Sequence, residues 1–131
     1  MEQTLIVIKP DGVARKLVGT ILARFEKREF IIHEMKMFQF TKEQAEKFYS
    51  PHYGKRFFNS LVRFIISGNV VAVILEGSTS IDVVRQMIGA TKSHEAAPGT
   101  IRGDFGLGLK DNVIHASDSK ESFEREYKII F

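Results

Sequence analysis

Cysteine is absent from this chain, so neither a disulfide framework nor a thiolate metal site is available to it. No apolar run approaches the ~18 residues a bilayer span requires, which excludes a transmembrane helix. The amino-terminal Met1-Glu2-Gln3 carries no basic region, so no secretory signal is expected and the cytoplasm is the expected location. There is no long block of like charge, internal repeat, low-complexity tract or linker. Two common phosphate-binding signatures are also missing. No G-x-x-x-x-G-K-[ST] occurs, and Gly106-Leu107-Gly108 lacks the third glycine and preceding strand of a dinucleotide fingerprint. Any phosphate site must therefore be built from side chains.

What is present has globular proportions: 131 residues, 44% hydrophobic and 27% charged. That length is expected to form one domain, residues 1–131, with a sizeable core. The net charge of +3 is a mild basic excess that suits anionic ligands, nucleotides or nucleic acid.

Thr4 to Ile8 is a nearly unbroken apolar run, the pattern of a strand buried on both faces. Pro10-Asp11-Gly12 is expected to end it as a turn, with Lys9 at the strand's last position. Val18, Ile21, Leu22 and Phe25 mark one face of a helix. Phe30 to Phe40 alternates in part, with Ile31, Met35 and Met37 on one side and Glu34 and Lys36 on the other, which predicts a half-buried strand. Thr41-x-x-Gln44 has capping-box spacing, so a short helix is expected over 42–49. In the helix that follows, Phe58, Leu61, Val62 and Ile65 form the inward stripe. Phe57 falls to one side, at the core's edge or facing a ligand. Val70 to Leu75 reads as a second buried strand, and Ile81, Val84 and Ile88 as a helix face ended by Gly89. The stretch 91–111 has no period, and a structureless loop of that length is more often functional than idle. The pattern reduces to β-α-β-β-α-β with extra helices, an α/β or α+β layer fold.

The chemistry concentrates at Asn112-Val113-Ile114-His115-Ala116-Ser117-Asp118. Val113-Ile114 predicts a strand end at His115, and Asp118 to Glu121 has the spacing of a capping box opening a helix. An imidazole between a strand end and a helix N-terminus is set where an anion is stabilised. A lone histidine at such a place is usually just packed, and a lysine before a turn is usually a solvated charge. Here the chain also supplies Lys9, Lys55, Arg85 and Arg102 as cations and Tyr49 and Thr91 as hydroxyls. Cations around a transferring phosphoryl group stabilise its spreading charge.

Asn112-x-x-His115-x-Ser117-Asp118 resembles the active-site signature of the nucleoside diphosphate kinases. TLIVIKPDG over Thr4 to Gly12, Phe57-Phe58, VVAVILEG over Val70 to Gly77, and PGTIRGDF over Pro98 to Phe105 resemble further motifs of that family, in order. The resemblance covers nearly the whole chain and implies a ferredoxin-like sandwich with a four-stranded antiparallel sheet. It also implies a homo-oligomer, tetramer or hexamer, acting on nucleoside triphosphates and diphosphates with Mg2+ on the nucleotide. Residue by residue, it implies that His115 carries the phosphoryl group, with Lys9 and Tyr49 on that phosphate. Arg85, Thr91 and Arg102 would take the other phosphates, Asn112 and Lys9 the sugar 3′-hydroxyl, and Phe57 the base. Glu126 and Ser117 would support the histidine. Arg56 and Ser93 depart from prolines frequent in the family, and the chain stops at Phe131, short of a tail that contributes to assembly in longer members. Two other readings remain: an RNA-recognition-like module of the same βαββαβ plan, although no RNP1-like run occurs, and a histidine phosphocarrier.

Overall fold

The computed structural model describes residues 1–131. A four-stranded antiparallel sheet of order β2-β3-β1-β4 runs through the molecule. Its strands are β1 (Glu2–Ile8), β2 (Ile31–Phe38), β3 (Val70–Gly77) and β4 (Ile114–Ala116). Helices α1 (Pro10–Ala14) and α2 (Val18–Lys27) join β1 to β2. Helices α3 (Lys42–Phe48) and α4 (Phe58–Ile65) join β2 to β3. Helices α5 (Ser80–Ile88) and α6 (Ile101–Phe105) join β3 to β4, and α7 (Lys120–Ile130) follows. Without the accessory helices this is the expected ferredoxin-like βαββαβ sandwich.

The unbroken apolar runs have a simple cause. β1 and β3 are the central strands, and helices cover both of their faces. Ile6, Ile8, Val71, Val73 and Leu75 pack with Ile21 and Phe25 of α2 and Val84 and Ile88 of α5. Leu5, Val7, Val70, Ala72 and Ile74 pack on the other side with Phe48, Val62, Ile65 and Ile130. Truncating one such side chain to alanine costs about 2–5 kcal/mol, a large share of the 5–15 kcal/mol that typically holds a domain folded. Because helices lie on both faces of β1 and β3, the sheet offers no open platform on which bases could stack, which argues against the RNA-recognition reading.

Several local expectations change. Pro10-Asp11-Gly12 does not turn; it opens α1, with proline near the helix start, where its missing N–H leaves no bond unmade. In β2 a register shift between Ile32 and Glu34 breaks the alternation, so Ile31 pairs with Glu76 while Met35 and Met37 pair with Val73 and Val71. Ile31 therefore faces the side opposite to the two methionines. All three are exposed, at 49%, 56% and 58%, on β2, which is an edge strand paired only with β3. The stretch 91–111 is not structureless: it holds a 3-10 turn at Ser93–Glu95 and α6, capped by the Thr100 side chain. Gly89 ends α5 at φ +89, and a Cβ there would meet Thr100 Oγ1 at 2.5 Å, so only glycine lets the capped start of α6 dock. The capping box of Thr41 and Gln44 forms as read, an arrangement worth about 1 kcal/mol. The cap of α7 is Ser119, not Asp118, and its hydroxyl accepts from Ser122 N.

Candidate active site

β4 is short, and its pairing with β1 sets His115 opposite Val7, at the β4 edge of the sheet. The imidazole Nε2 lies 2.9 Å from Glu126 Oε1, one turn and a half along α7. Ser117 Oγ donates to the same carboxylate oxygen at 2.7 Å. The Phe48 ring meets the imidazole edge-on at 4.7 Å. Glu126 is nearly fully buried, and burial by itself pushes its carboxyl up. The His115 charge and hydrogen bond, the Ser117 hydroxyl and Arg125 outweigh that and hold it below the usual carboxylate range. An ionised carboxylate at Nε2 keeps the ring proton on that nitrogen, which leaves the lone pair on Nδ1.

Val113, expected in the strand that ends at His115, precedes β4 together with Asn112. Val113 has φ +62, a conformation strained for a β-branched residue and costing about 1–3 kcal/mol. Ile114 N donates to Asn112 O at 2.8 Å, closing a tight γ-turn over Val113. Both Val113 backbone groups are held from the other end of the chain: Lys9 N donates to Val113 O at 2.8 Å, and Val113 N donates to Asp11 Oδ2 at 3.2 Å. Gly12 allows this approach, since a Cβ there would sit 2.8 Å from Ile8 Cγ2 and 3.0 Å from Val113 O. The turn leaves the Asn112 side chain pointing at Lys9, whose Nζ donates to Asn112 Oδ1 at 2.8 Å. Asn112 Nδ2 in turn donates to the Thr91 and Leu109 carbonyls. Lys9 is 5% exposed, not a solvated charge. Burial, aided by the Arg102 charge and opposed by Asp11 and Asp111, lowers its ammonium to about 7.

Arg102 is buried on α6, and its guanidinium donates to Gly89 O at 3.2 Å and Ile114 O at 2.7 Å, leaving Nε without a partner. Burial, with Arg85 nearby, lowers it to about 10, so it stays charged at neutral pH. Arg85 is exposed beside the same strand, donating to Ala116 O at 3.2 Å. The Tyr49 hydroxyl is buried without a partner, and burial pushes it well above its ordinary value. Phe57 is 40% exposed at the start of α4, with the His52 ring at 5.4 Å and the Lys55 ammonium over its face. Thr91 is exposed, and its carbonyl rather than its hydroxyl is engaged. Ser93 Oγ donates to Gly108 O at 2.8 Å, so the residue at a frequent proline position ties the loop down by a side chain.

The structure thus brings His115, Glu126 and Ser117 into one hydrogen-bonded group and Lys9 and Asn112 into another, with cations and Tyr49 around them. Three contributors were missed in the sequence: Asp11, which read as a turn residue, and Phe48 and Arg125, which nothing in the sequence singled out. Only the Asp after Lys9-Pro10 carried a signal, as part of the motif. No three His, Asp or Glu side chains converge where they could hold a metal ion. The site's cations suit an anionic ligand.

A family model described as nucleoside diphosphate kinase matches residues 2–131. A nucleoside diphosphate kinase of Hyperthermus butylicus is 59% identical over all of this chain and 92% of its own. One of Methanocaldococcus jannaschii is 53% identical over 99% of this chain and 93% of its own. Among solved structures, the Aquifex aeolicus nucleoside diphosphate kinase superposes with a TM-score of 0.96 at 48% identity, covering 99% of this chain and 94% of that one. That of Halobacterium salinarum in complex with CDP gives 0.96 at 43%, covering 99% and 87%. The chain belongs to the nucleoside diphosphate kinase family and is a nucleotide-dependent phosphotransferase.

Proposed function

We propose that the enzyme moves the γ-phosphoryl group of a nucleoside triphosphate to a nucleoside diphosphate in two half-reactions through phosphorylated His115. The observation that carries this reading is the His115–Glu126 pair at 2.9 Å, which fixes the ring and reserves Nδ1 for attack. The Nδ1 lone pair forms the N–P bond as the bridging P–O bond breaks and the first diphosphate departs with that electron pair. The second diphosphate then takes the phosphoryl group by the reverse step, and the Nε2 proton stays against Glu126 throughout. Covalent relay of this kind divides one hard transfer into two.

Lys9 and the unpartnered Tyr49 hydroxyl hold the transferring phosphate, Arg85, Arg102 and Thr91 the others, and Phe57 the base. Asn112 and Lys9 hold the 3′-hydroxyl. Magnesium, which prefers phosphate oxygens and water to protein cages, supplies charge neutralisation on the bound nucleotide. Homo-oligomerisation, as tetramer or hexamer, fits the exposed Met35 and Met37 on edge strand β2. Nucleic acid is not required.

The test is exchange of phosphate between a triphosphate of one base and a diphosphate of another, with no third component. Stacking on Phe57 uses a face that every base has, so several bases should serve. No exchange, or transfer only to a second protein, would point to the phosphocarrier instead.

Lys9 makes a separate test. An ammonium near 7 in the free enzyme is mostly neutral at pH 8, and bound phosphate favours its charged form. Diphosphate binding should therefore take up close to one proton at pH 8 and almost none at pH 6. Calorimetry in buffers of different ionisation enthalpy reads this directly. A Lys9→Met chain should show none, and uptake that is independent of pH or of Lys9 would refute it.

A further inference from the structure

Arg125 sits beside Glu126 but points its guanidinium across to α3. Nη1 donates to Lys47 O at 3.1 Å and Phe48 O at 3.2 Å, the last carbonyls of that helix. Nη2 donates to Glu126 Oε2 at 3.4 Å, the oxygen that neither His115 nor Ser117 uses. One planar fork thus joins the carboxylate behind His115 to the end of α3. That end carries Phe48, packed on the imidazole, and then Tyr49. The Arg125 side chain is 33% exposed, and the Glu126 carboxylate that it meets is 4% exposed. A fork of fixed geometry sets angles that a single ammonium cannot.

We propose that Arg125 is a positioning residue, which orients the Glu126 carboxylate toward His115 and anchors the end of α3 bearing Phe48 and Tyr49. The inference rests on the phosphohistidine reading. The groups facing the Glu126 carboxyl are His115 from β4, Arg125 from its own helix and Tyr49 from the end of α3. Of these, Arg125 is the permanent cation.

The experiment compares the unaltered enzyme with Arg125→Met and Arg125→Lys. Single-turnover phosphorylation of His115 by a magnesium triphosphate is followed across pH, and nucleotide affinity and Tm are measured alongside. Arg125→Met should lower the plateau rate about tenfold with affinity within about twofold, since angular error of a supporting group acts on the transition state. Its acid limb should move upward, because Glu126 loses a charge that favours its ionised form. Arg125→Lys should restore the acid limb but not the plateau. A variant that only lowers Tm, or scales the rate without moving the acid limb, would overturn the proposal. Nitrogen-15 spectra of the His115 ring, taken without nucleotide, separate this from the reading beneath it. Arg125→Met should mix the tautomers that the unaltered enzyme keeps as Nε2–H, and an unchanged tautomer overturns the inference. Absence of phosphorylation in the unaltered enzyme would instead sink the phosphotransfer reading.

Discussion

Incubated with magnesium and a γ-labelled triphosphate, the enzyme is expected to acquire acid-labile label on His115 and nowhere else. The Glu126 carboxylate occupies Nε2, so the N–P bond forms at Nδ1, and a phosphoramidate of that kind hydrolyses in acid while surviving base. His33 and His94 are exposed and lack a buried carboxylate behind them, which makes them internal controls. His115→Ala should lose exchange by a factor on the order of 10⁵–10⁶, the scale on which removal of a covalent nucleophile acts. The loss should appear in kcat, because the cations and Phe57 that hold the nucleotide remain. Label that resists acid, or that persists in His115→Ala, would end the covalent reading.

The second large effect concerns the sugar. Lys9 Nζ and Asn112 Oδ1 are 2.8 Å apart in the free enzyme, and Lys9 Nζ also approaches Lys110 O at 3.4 Å. Asn112 stands three residues before His115 across the Val113 γ-turn. A 3′-hydroxyl held by this pair lies close to the transferred phosphate and can donate to the bridging oxygen as charge builds there. Such help is given mainly in the transition state, and losing one donor of this kind costs about 100- to 1000-fold in rate. Ordinary deoxyribose nucleotides, which keep the 3′-hydroxyl, should therefore react well. The 3′-deoxy analogues should bind yet react slowly in single turnover. Asn112→Ala should narrow the gap between them, since one partner of the hydroxyl is already gone. Equal single-turnover rates with and without the 3′-hydroxyl would remove Asn112 and Lys9 from this role.

The sequence by itself determined the elements whose causes are local. β1 and β3 were legible because strands covered on both faces must be apolar at every position, and α2, α4 and α5 because one covered face repeats every turn. The capping box at Thr41 was legible because both of its bonds close within four residues. The residues at the site were legible through motifs, as types in order along the chain. Their arrangement was decided by tertiary structure. Lys9 meets Asn112, and Asp11 holds Val113, across separations of 103 and 102 residues. Those contacts exist only because β4 pairs antiparallel with β1, and a sheet's pairing partner is not encoded in either strand alone. Pairing also holds Val113 in a conformation that its own side chain opposes, which no local propensity would predict. The register shift in β2 turned Ile31 away from Met35 for the same reason: it is a property of the fit to β3, not of the strand. Nothing in the sequence singled out Arg125, because its contacts depend on the end of α3 reaching it, and that happens only when α3 and α7 pack on the same face of the sheet.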